Sequence, residues 1–165
     1  MRRAATAVQI CRAGLDDLAP LAALFDAYRQ FYDQPADLPL AERYLRDRLA
    51  HDESLVWMAW QGAQAIGFCQ CYPTFCSVAA APILVLYDLY VQPTARGLGA
   101  ARALMQAAAD EASARGCVRL DLSTAKANRP AQALYEALGW QRDSEFFVYS
   151  LTLAGLAQIN AGDSR

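Results

Sequence analysis

One stretch of this 165-residue sequence, from residue 91 to residue 101, has the residue types and spacing of an anion site. An apolar strand ends at Val91, a turn containing two glycines follows, and a helical pattern begins at Ala100. The first amides of a helix lack internal partners and lie at the positive end of its dipole, which suits a phosphate or pyrophosphate. Arg96 adds a charge-assisted contact or braces the turn. An ordinary strand–helix connection has the same spacing, and the stretch matches neither a P-loop nor a dinucleotide-binding fingerprint.

Asp88 is the second residue whose position suggests chemistry, because it interrupts the strongly apolar run 83–91. A buried carboxylate costs free energy unless it faces a cavity, water or a cation. Asp88 is therefore a candidate general base. Strand alternation places it on the opposite face from Tyr87 and Leu89. The alternative is that Asp88 pairs with an arginine or a backbone amide and serves only the fold.

Aromatic side chains cluster at the end of the first predicted helix, where Tyr28, Phe31 and Tyr32 precede Asp33. Such a cluster fits a pocket for a small acceptor molecule, although clustered aromatic residues are more often core packing. Further candidates for the same pocket are Tyr72, Phe75 and Tyr90.

Hydrophobic periodicity predicts the elements that must position these residues. Apolar residues at helical spacing predict helices over residues 15–32, 40–50, 100–115 and 129–138, the last with Asn128 as its N-cap. Alternating or continuous apolar runs predict strands over residues 8–12, 54–60, 65–73, 83–91, 118–123 and 146–153, with a loop over residues 74–82. The order β-α-α-β-β-β-α-β-α-β predicts a mixed α/β (α+β) domain, with a mixed sheet and helices on its faces.

Composition excludes several classes of protein. Hydrophobic residues make up 55% and charged residues 19%, which is typical of one packed domain rather than a disordered or coiled-coil chain. A net charge of −2 with scattered basic residues predicts no nucleic-acid partner. Neither a signal sequence nor a transmembrane run is visible, which predicts a cytoplasmic protein with no membrane partner.

The cysteines and the single histidine give no sign of a metal site. Five cysteines occur without a C-x-x-C spacing, which indicates reduced thiols that act as small hydrophobic residues. His51, the only histidine, follows a helical stretch and precedes a predicted surface turn. We therefore expect no metal and no Ser-His-Asp triad.

Two segments carry a resemblance to a known family. Arg96-Gly97-Leu98-Gly99-Ala100-Ala101 matches the signature Q/R-x-x-G-x-G/A, following a strand and opening a helix. The segment from Asn128 to Trp140 resembles a second signature, N-x-x-A-x-x-L-Y-x-x-x-G-F/W. With both motifs in this order, the sequence resembles the GNAT superfamily of N-acetyltransferases over residues 8–153.

The resemblance implies a GNAT-like fold, in which a central, twisted, largely antiparallel mixed sheet of about six or seven strands is flanked by about four helices. It implies one acetyltransferase domain over residues 1–153, followed by a C-terminal tail over residues 154–165. Acetyl-CoA is the implied co-substrate, and a homodimer is expected by analogy with the family.

The resemblance also assigns roles to residues of this sequence. Tyr135 is implied as the general acid near the thioester sulfur. The strand that contains Asp88 resembles the spermidine/spermine acetyltransferase branch, which has two adjacent acidic residues here, but Tyr87 replaces the first of them. The base is therefore Asp88, Tyr87 or an ordered water. The implied acetyl-CoA-binding residues are Leu89, Val91, Arg96, Gly97, Leu98, Gly99, Ala100, Ala101, Asn128, Ala131 and Tyr135, and the implied acceptor-binding residues are Tyr28, Phe31, Tyr32, Tyr87 and Asp88.

These roles predict an N-acetyltransferase that moves an acetyl group from acetyl-CoA to a primary amine of a small molecule, by direct attack in a ternary complex. Two alternatives stay open in the sequence. One is acetylation of a protein or peptide amine, and the other is a non-catalytic acyl-CoA-binding sensor or interaction module. Nothing in the sequence identifies the amine.

Overall fold

The computed structural model describes residues 7–153. Within that range the α-helices are α1 (Leu18–Phe31), α2 (Leu38–Ala50), α3 (Ala100–Ala114) and α4 (Arg129–Ala137). The strands are β1 (Val8–Arg12), β2 (Leu55–Gln61), β3 (Gln64–Cys76), β4 (Ala81–Val91) and β5 (Leu120–Leu122). None of these helices is long and apolar enough to cross a membrane.

Local signals in the sequence explain where several helices begin and end. The side chain of Asn128 accepts a hydrogen bond from the Ala131 amide at 3.4 Å, which confirms the predicted N-cap of α4. Asp37 caps α2 in the same way, accepting from the Leu40 amide at 3.0 Å. Just beyond the end of α3, Gly116 has a φ of 69°, a left-handed conformation that glycine adopts without strain.

The strands form one sheet in the order β1-β2-β3-β4-β5. Neighbouring strands are antiparallel, except β4 and β5, which are parallel. α1 and α2 pack on one face over Met58 and Phe68, whereas α3 packs on the other face over Trp57 and Cys69. Adjacent residues of β2 and β3 thus supply opposite cores, as strand geometry requires. The predicted mixed α/β fold is confirmed.

β4 keeps β5 as its neighbour over only three residues. Residues 84–86 pair with residues 120–122, whereas β3 continues to pair with β4 as far as Val91. Among the strands described, residues 87–91 therefore have a neighbour on one side only. The open edge of this half of β4 lies beside the turn that leads into α3.

The loop predicted over residues 74–82 is wrong, because β3 extends to Cys76 and β4 begins at Ala81. β3 continues past Pro73 even though proline has no N–H to donate. β2 pairs with β3 only as far as Cys71. Beyond that residue the β2 side of β3 is unpaired, so the missing N–H of Pro73 costs no hydrogen bond to β2.

The strand predicted over residues 146–153 is also wrong, and the sheet has five strands instead of six or seven. Aromatic and β-branched residues favour a strand, but a strand also needs a neighbour that pairs with its backbone. Residues 146–153 pair with none of the strands described. Their large apolar side chains are exposed: Phe146, Phe147, Val148, Tyr149, Leu151 and Leu153. The tail predicted over residues 154–165 lies outside the described residues.

Candidate active site

A cavity of about 550 Å³ lies beside the open edge of β4. Its wall is formed by the end of α1, β4, the turn before α3, β5 and α4, so the two sequence motifs meet around it. Leu98 does not line this cavity, and its side chain is 45% exposed. The other predicted acetyl-CoA-binding residues do line it: Leu89, Val91, Arg96, Gly97, Gly99, Ala100, Ala101, Asn128, Ala131 and Tyr135.

The glycine turn before α3 presents backbone to this larger cavity. Gly97 and Gly99 have φ values of 81° and 83°, which only glycine adopts readily. A Cβ atom added at either position would meet nothing within 4 Å, so the space above both glycines is open. Ala103 donates the first hydrogen bond of the helix, to the Gly99 carbonyl at 3.0 Å. The amides before Ala103 have no partner within the helix and suit an anion.

Arg96 braces the turn rather than extending alone into solvent. Its Nε donates a hydrogen bond to the Val91 carbonyl at 3.2 Å, which ties the glycine turn to the end of β4. Arg96 also lines the larger cavity. Of the two roles open in the sequence, the structure shows the brace, and the guanidinium keeps further donors for an anion.

Tyr135 lies on α4 and contributes to the wall of the larger cavity. Burial raises the pKa of its hydroxyl, and a hydrogen bond with the Thr124 side chain opposes that rise. The Tyr135 ring also lies 6.2 Å from the Trp140 ring, between centroids. The phenol is therefore protonated at neutral pH and can donate a proton or a hydrogen bond into the cavity.

A smaller cavity of about 300 Å³ adjoins the larger one. Three tyrosines, Tyr28, Tyr32 and Tyr87, line both cavities. Asp88 lines only the smaller one. The remaining residues of its wall are Phe25, Arg29, Gln34, Tyr44 and Tyr72. The side chains of these three tyrosines therefore lie between the two cavities. The Asp88 carboxylate borders the smaller cavity, and the glycine turn borders the larger one.

Asp88 is held by two neighbours and is only 6% exposed. Gln70 Nε2 donates to its Oδ2 at 2.7 Å, and the Tyr28 hydroxyl also hydrogen-bonds to its carboxylate. Burial raises the pKa of Asp88, and the hydrogen bonds from Gln70 and Tyr28 only partly offset that effect. A carboxylate with a raised pKa is a stronger proton acceptor than an exposed one, which is what a general base requires.

A bulge in β4 changes which face of the sheet the side chains of Tyr87 and Asp88 occupy. Gln70 pairs with Asp88, but Cys71 pairs with Leu86, so Tyr87 has no opposing residue on β3. The expectation that Asp88 and Tyr87 lie on opposite faces is wrong, because the bulge interrupts the alternation and both residues line the smaller cavity. Tyr87 is 67% exposed, whereas Asp88 is buried.

The predicted acceptor residues are divided between the two cavities. Phe31 lines the larger cavity only, as does Tyr90, whereas Tyr72 lines the smaller one. Tyr72 is hydrogen-bonded to Tyr44, with the two hydroxyl oxygens 2.5 Å apart. Phe75 lines neither cavity, and its side chain is 79% exposed.

Sequence reasoning missed several polar residues of the site, among them Gln70 and Arg29. Gln70 is completely buried and contacts Asp88, and its signal was its position as the one polar residue between Cys69 and Cys71 in an apolar run. Arg29 lines the smaller cavity from the last turn of α1. Its position in an amphipathic helix is typical of a solvated surface residue, so no pattern in the sequence pointed to it. Between residues 7 and 153, no three His, Cys, Asp or Glu side chains cluster closely enough to hold a metal ion.

Comparison with known proteins identifies the family of the chain. Residues 21–140 match the family model described as Acetyltransferase (GNAT) family, and this range includes both sequence motifs. The match covers more than half of the chain, and the chain belongs to the GNAT family of acetyltransferases.

Relatives and solved structures extend the comparison over most of the chain. The "Uncharacterized N-acetyltransferase YhfO" of Bacillus subtilis (strain 168) is 42% identical over 146 residues, which cover 88% of this chain and 98% of that protein. A crystal structure of "a probable acetyltransferase" has a TM-score of 0.83 at 35% identity, covering 88% of this chain and 97% of that one. The CoA complex of the aminoglycoside N-acetyltransferase AAC(6')-Iy has a TM-score of 0.77 at 19% identity, covering 92% and 98%, a likeness of fold alone.

The chain is accordingly an N-acetyltransferase that depends on acetyl-CoA. The resemblance read from the two sequence motifs is confirmed at the level of family and fold. Acetyl-CoA is its co-substrate, and the 550 Å³ volume of the larger cavity lies within the range of small-molecule and cofactor sites.

Proposed function

We propose that this protein transfers the acetyl group of acetyl-CoA to the primary amine of a small molecule, by direct attack in a ternary complex. The observation that carries the proposal is the pair of adjoining cavities that share Tyr28, Tyr32 and Tyr87. One cavity has an anion-binding turn, and the other has a buried carboxylate. A donor and an acceptor bound side by side gain the large rate advantage of proximity and orientation.

The larger cavity is the proposed donor site. The amides of residues 97–101 bind the CoA pyrophosphate at the start of α3, where Gly97 and Gly99 leave open space. The pantetheine arm pairs with the open edge of β4 through the backbone of Leu89 and Val91. Asn128 and Ala131 contact CoA from the opposite wall of the cavity.

Asp88 is the proposed general base. An alkylamine with a pKa of about 10.4 is neutral in only about one part in 10³ at pH 7, so attack on the thioester requires removal of a proton. The Asp88 carboxylate borders the smaller cavity, and its raised pKa favours proton uptake. It accepts the amine proton directly or through a water, while Tyr28 and Gln70 fix its orientation.

Tyr135 is the proposed general acid for the leaving thiolate. Its hydroxyl is protonated at neutral pH, since burial raises its pKa. A thiol with a pKa of about 8.5 leaves more readily than an amine, so this step demands less than the base step. A backbone amide at the open end of β4, near Val91, donates to the oxyanion of the tetrahedral intermediate.

Two measurements test the proposal. Release of the CoA thiol is followed with a panel of amines, amino acids, polyamines and aminoglycosides, and initial rates are then measured while both substrates are varied. Intersecting double-reciprocal plots are expected for a ternary complex, whereas parallel plots would indicate an acetyl-enzyme instead. If acetyl-CoA stabilises the protein to heat but no amine in the panel releases thiol, the sensor alternative replaces small-molecule transfer.

A further inference from the structure

We propose that the acceptor carries a carboxylate beside its amine, as an α-amino acid does, and that Arg29 in the smaller cavity binds this carboxylate. The inference rests on the proposed function, because it takes the smaller cavity as the acceptor site. The observation behind it is that two side chains of opposite charge, Asp88 and Arg29, line the same small cavity.

Arg29 has unused hydrogen-bonding capacity. A guanidinium has five N–H donors in a planar fork that matches a carboxylate. The only ion pair of Arg29 within residues 7–153 is with Asp26, and its Nη1–Oδ1 distance of 3.7 Å is too long for a hydrogen bond. Nη1 is buried and has no hydrogen-bond partner within that range, and the side chain as a whole is only 17% exposed.

Asp26 is held in place by other partners and is not free to move closer to Arg29. Its Oδ1 accepts from the Asp37 amide at 2.8 Å, and its Oδ2 accepts from Gln30 Nε2 at 3.0 Å. The bond from the Asp37 amide joins α1 to the N-terminus of α2, whereas the bond from Gln30 lies within α1. Asp26 therefore offsets part of the charge of Arg29 without filling its donors, and an acidic group in the cavity would complete them.

The rest of the cavity wall favours the same class of acceptor. The hydroxyls of Tyr44 and Tyr72 are hydrogen-bonded to each other. Among the residues that line the smaller cavity, the charged side chains that can recognise a ligand are Asp88 and Arg29. A volume of about 300 Å³ holds roughly ten water-sized groups, which is the size of an amino acid. A polyamine or an aminoglycoside carries positive charges and no carboxylate, and Arg29 would repel its ammonium groups.

The test uses acceptors that differ only beside the amine. A panel of α-amino acids is compared with the matching amides and decarboxylated amines, for example leucine, leucinamide and 3-methylbutylamine. Release of the CoA thiol gives kcat/KM for each compound. We expect the wild-type protein to prefer the amino acids by about 10- to 100-fold, the range expected for a hydrogen-bonded charged pair. Arg29→Gln should reduce this preference to near unity, mainly through KM.

Arg46→Gln is the matched control, since Arg46 is exposed on α2 and lines neither cavity. It should keep the wild-type preference, and heat stability with acetyl-CoA verifies that both variants fold. Arg29→Lys, which keeps the charge but loses the planar fork, should show an intermediate preference. Two outcomes would overturn the inference and leave small-molecule acetylation standing. One is that the wild type acetylates the amines with the same kcat/KM as the amino acids, and the other is that Arg29→Gln keeps the preference for amino acids. Absence of thiol release with these compounds and with the polyamines and aminoglycosides of the wider panel would instead remove the proposed function itself.

Discussion

Gln70 and Asp88 face each other across the β3–β4 ladder, and Gln70 Nε2 donates to Asp88 Oδ2 at 2.7 Å. Gln70 is 0% exposed and Asp88 is 6% exposed, so this bond is shielded from water. A neutral amide stabilises the carboxylate without the full effect of an opposite charge, which would lower its pKa further. Gln70 therefore supports Asp88 as a charged group while burial keeps its pKa raised.

Gln70→Leu should move the acidic limb of the pH profile of kcat/KM to higher pH. Loss of the donor leaves the buried carboxylate less stable, so more of it is protonated at a given pH. A hydrogen bond to a charged group contributes about 1.5–3 kcal/mol, which corresponds to a shift of about 1–2 pH units. Gln9→Leu, on the exposed side of β1, is the control. An unchanged limb would show that Gln70 does not tune the base.

Asp88→Asn should reduce activity and increase stability at neutral pH. The folded-state pKa of Asp88 is raised, so the stability from this group is full below the unfolded pKa, near 3.9, and is lost as pH rises through the folded pKa. The Tm of the variant should therefore exceed that of the wild type, and the difference should grow as pH rises from the unfolded pKa to above the folded pKa of Asp88. We expect kcat to fall about 10²- to 10⁴-fold.

Thermal melts from pH 3.5 to pH 8, with Asp47→Asn as an exposed control, check the stability part of this prediction. A Tm difference that stays constant with pH would contradict the burial of a charged Asp88. Full turnover by Asp88→Asn would assign the base to Tyr87 or to a water.

Tyr135→Phe should lower kcat about 10²-fold, near the lower end of the range for general acid catalysis, because a thiolate is a good leaving group. Binding of CoA should change little, since the ring still fills its part of the cavity wall. Steady-state kinetics and calorimetric titration with CoA measure the two effects. Tyr149→Phe is the control, because the Tyr149 side chain is 90% exposed. Equal losses in kcat and CoA affinity would indicate a packing role.

Gly99→Ala should weaken CoA binding more than its effect on stability explains. Gly99 and Gly62 have φ values of 83° and 61°, and a Cβ at either position meets nothing within 4 Å. Both alanine variants should therefore lose a similar stability of about 1–2 kcal/mol, from backbone strain. Only Gly99 lines the larger cavity, so only Gly99→Ala should raise the Kd for CoA. Urea denaturation measures the loss of stability, and titration with CoA measures the Kd. A Kd of Gly99→Ala equal to that of Gly62→Ala would exclude the turn from the binding site.

The sequence predicted those parts of the fold whose local signals agree with their surroundings. β1, the start of α3 and the cap at Asn128 all have clear periodicity or capping residues, and the structure confirms them. All the predicted acetyl-CoA-binding residues except Leu98 also lie around one cavity, and their individual roles stay predictions. Residues 146–153 show the limit of local signals, because their strand-forming side chains find no partner among the strands described.

The parts of the site that the sequence could not predict depend on relationships between strands and helices. The bulge at Tyr87 is a mismatch of register between β3 and β4, and neither strand alone contains it. The proximity of Arg29 to Asp88 depends on how α1 packs against the sheet. Single-sequence periodicity identifies which face of an element is apolar, but it does not identify which polar residue borders a cavity.

The end of pairing between β4 and β5 at residues 86 and 122 also affects the tendency of the protein to aggregate. A strand edge with unpaired backbone groups is a template on which another protein can add a strand and aggregate. Here the unpaired edge of residues 87–91 forms part of a cavity wall that also includes the turn before α3 and residues of α4. A strand edge that lies in the wall of a recess is less accessible to another flat strand than an edge that faces solvent. The recess proposed for the cofactor arm therefore also limits intermolecular pairing with the sheet.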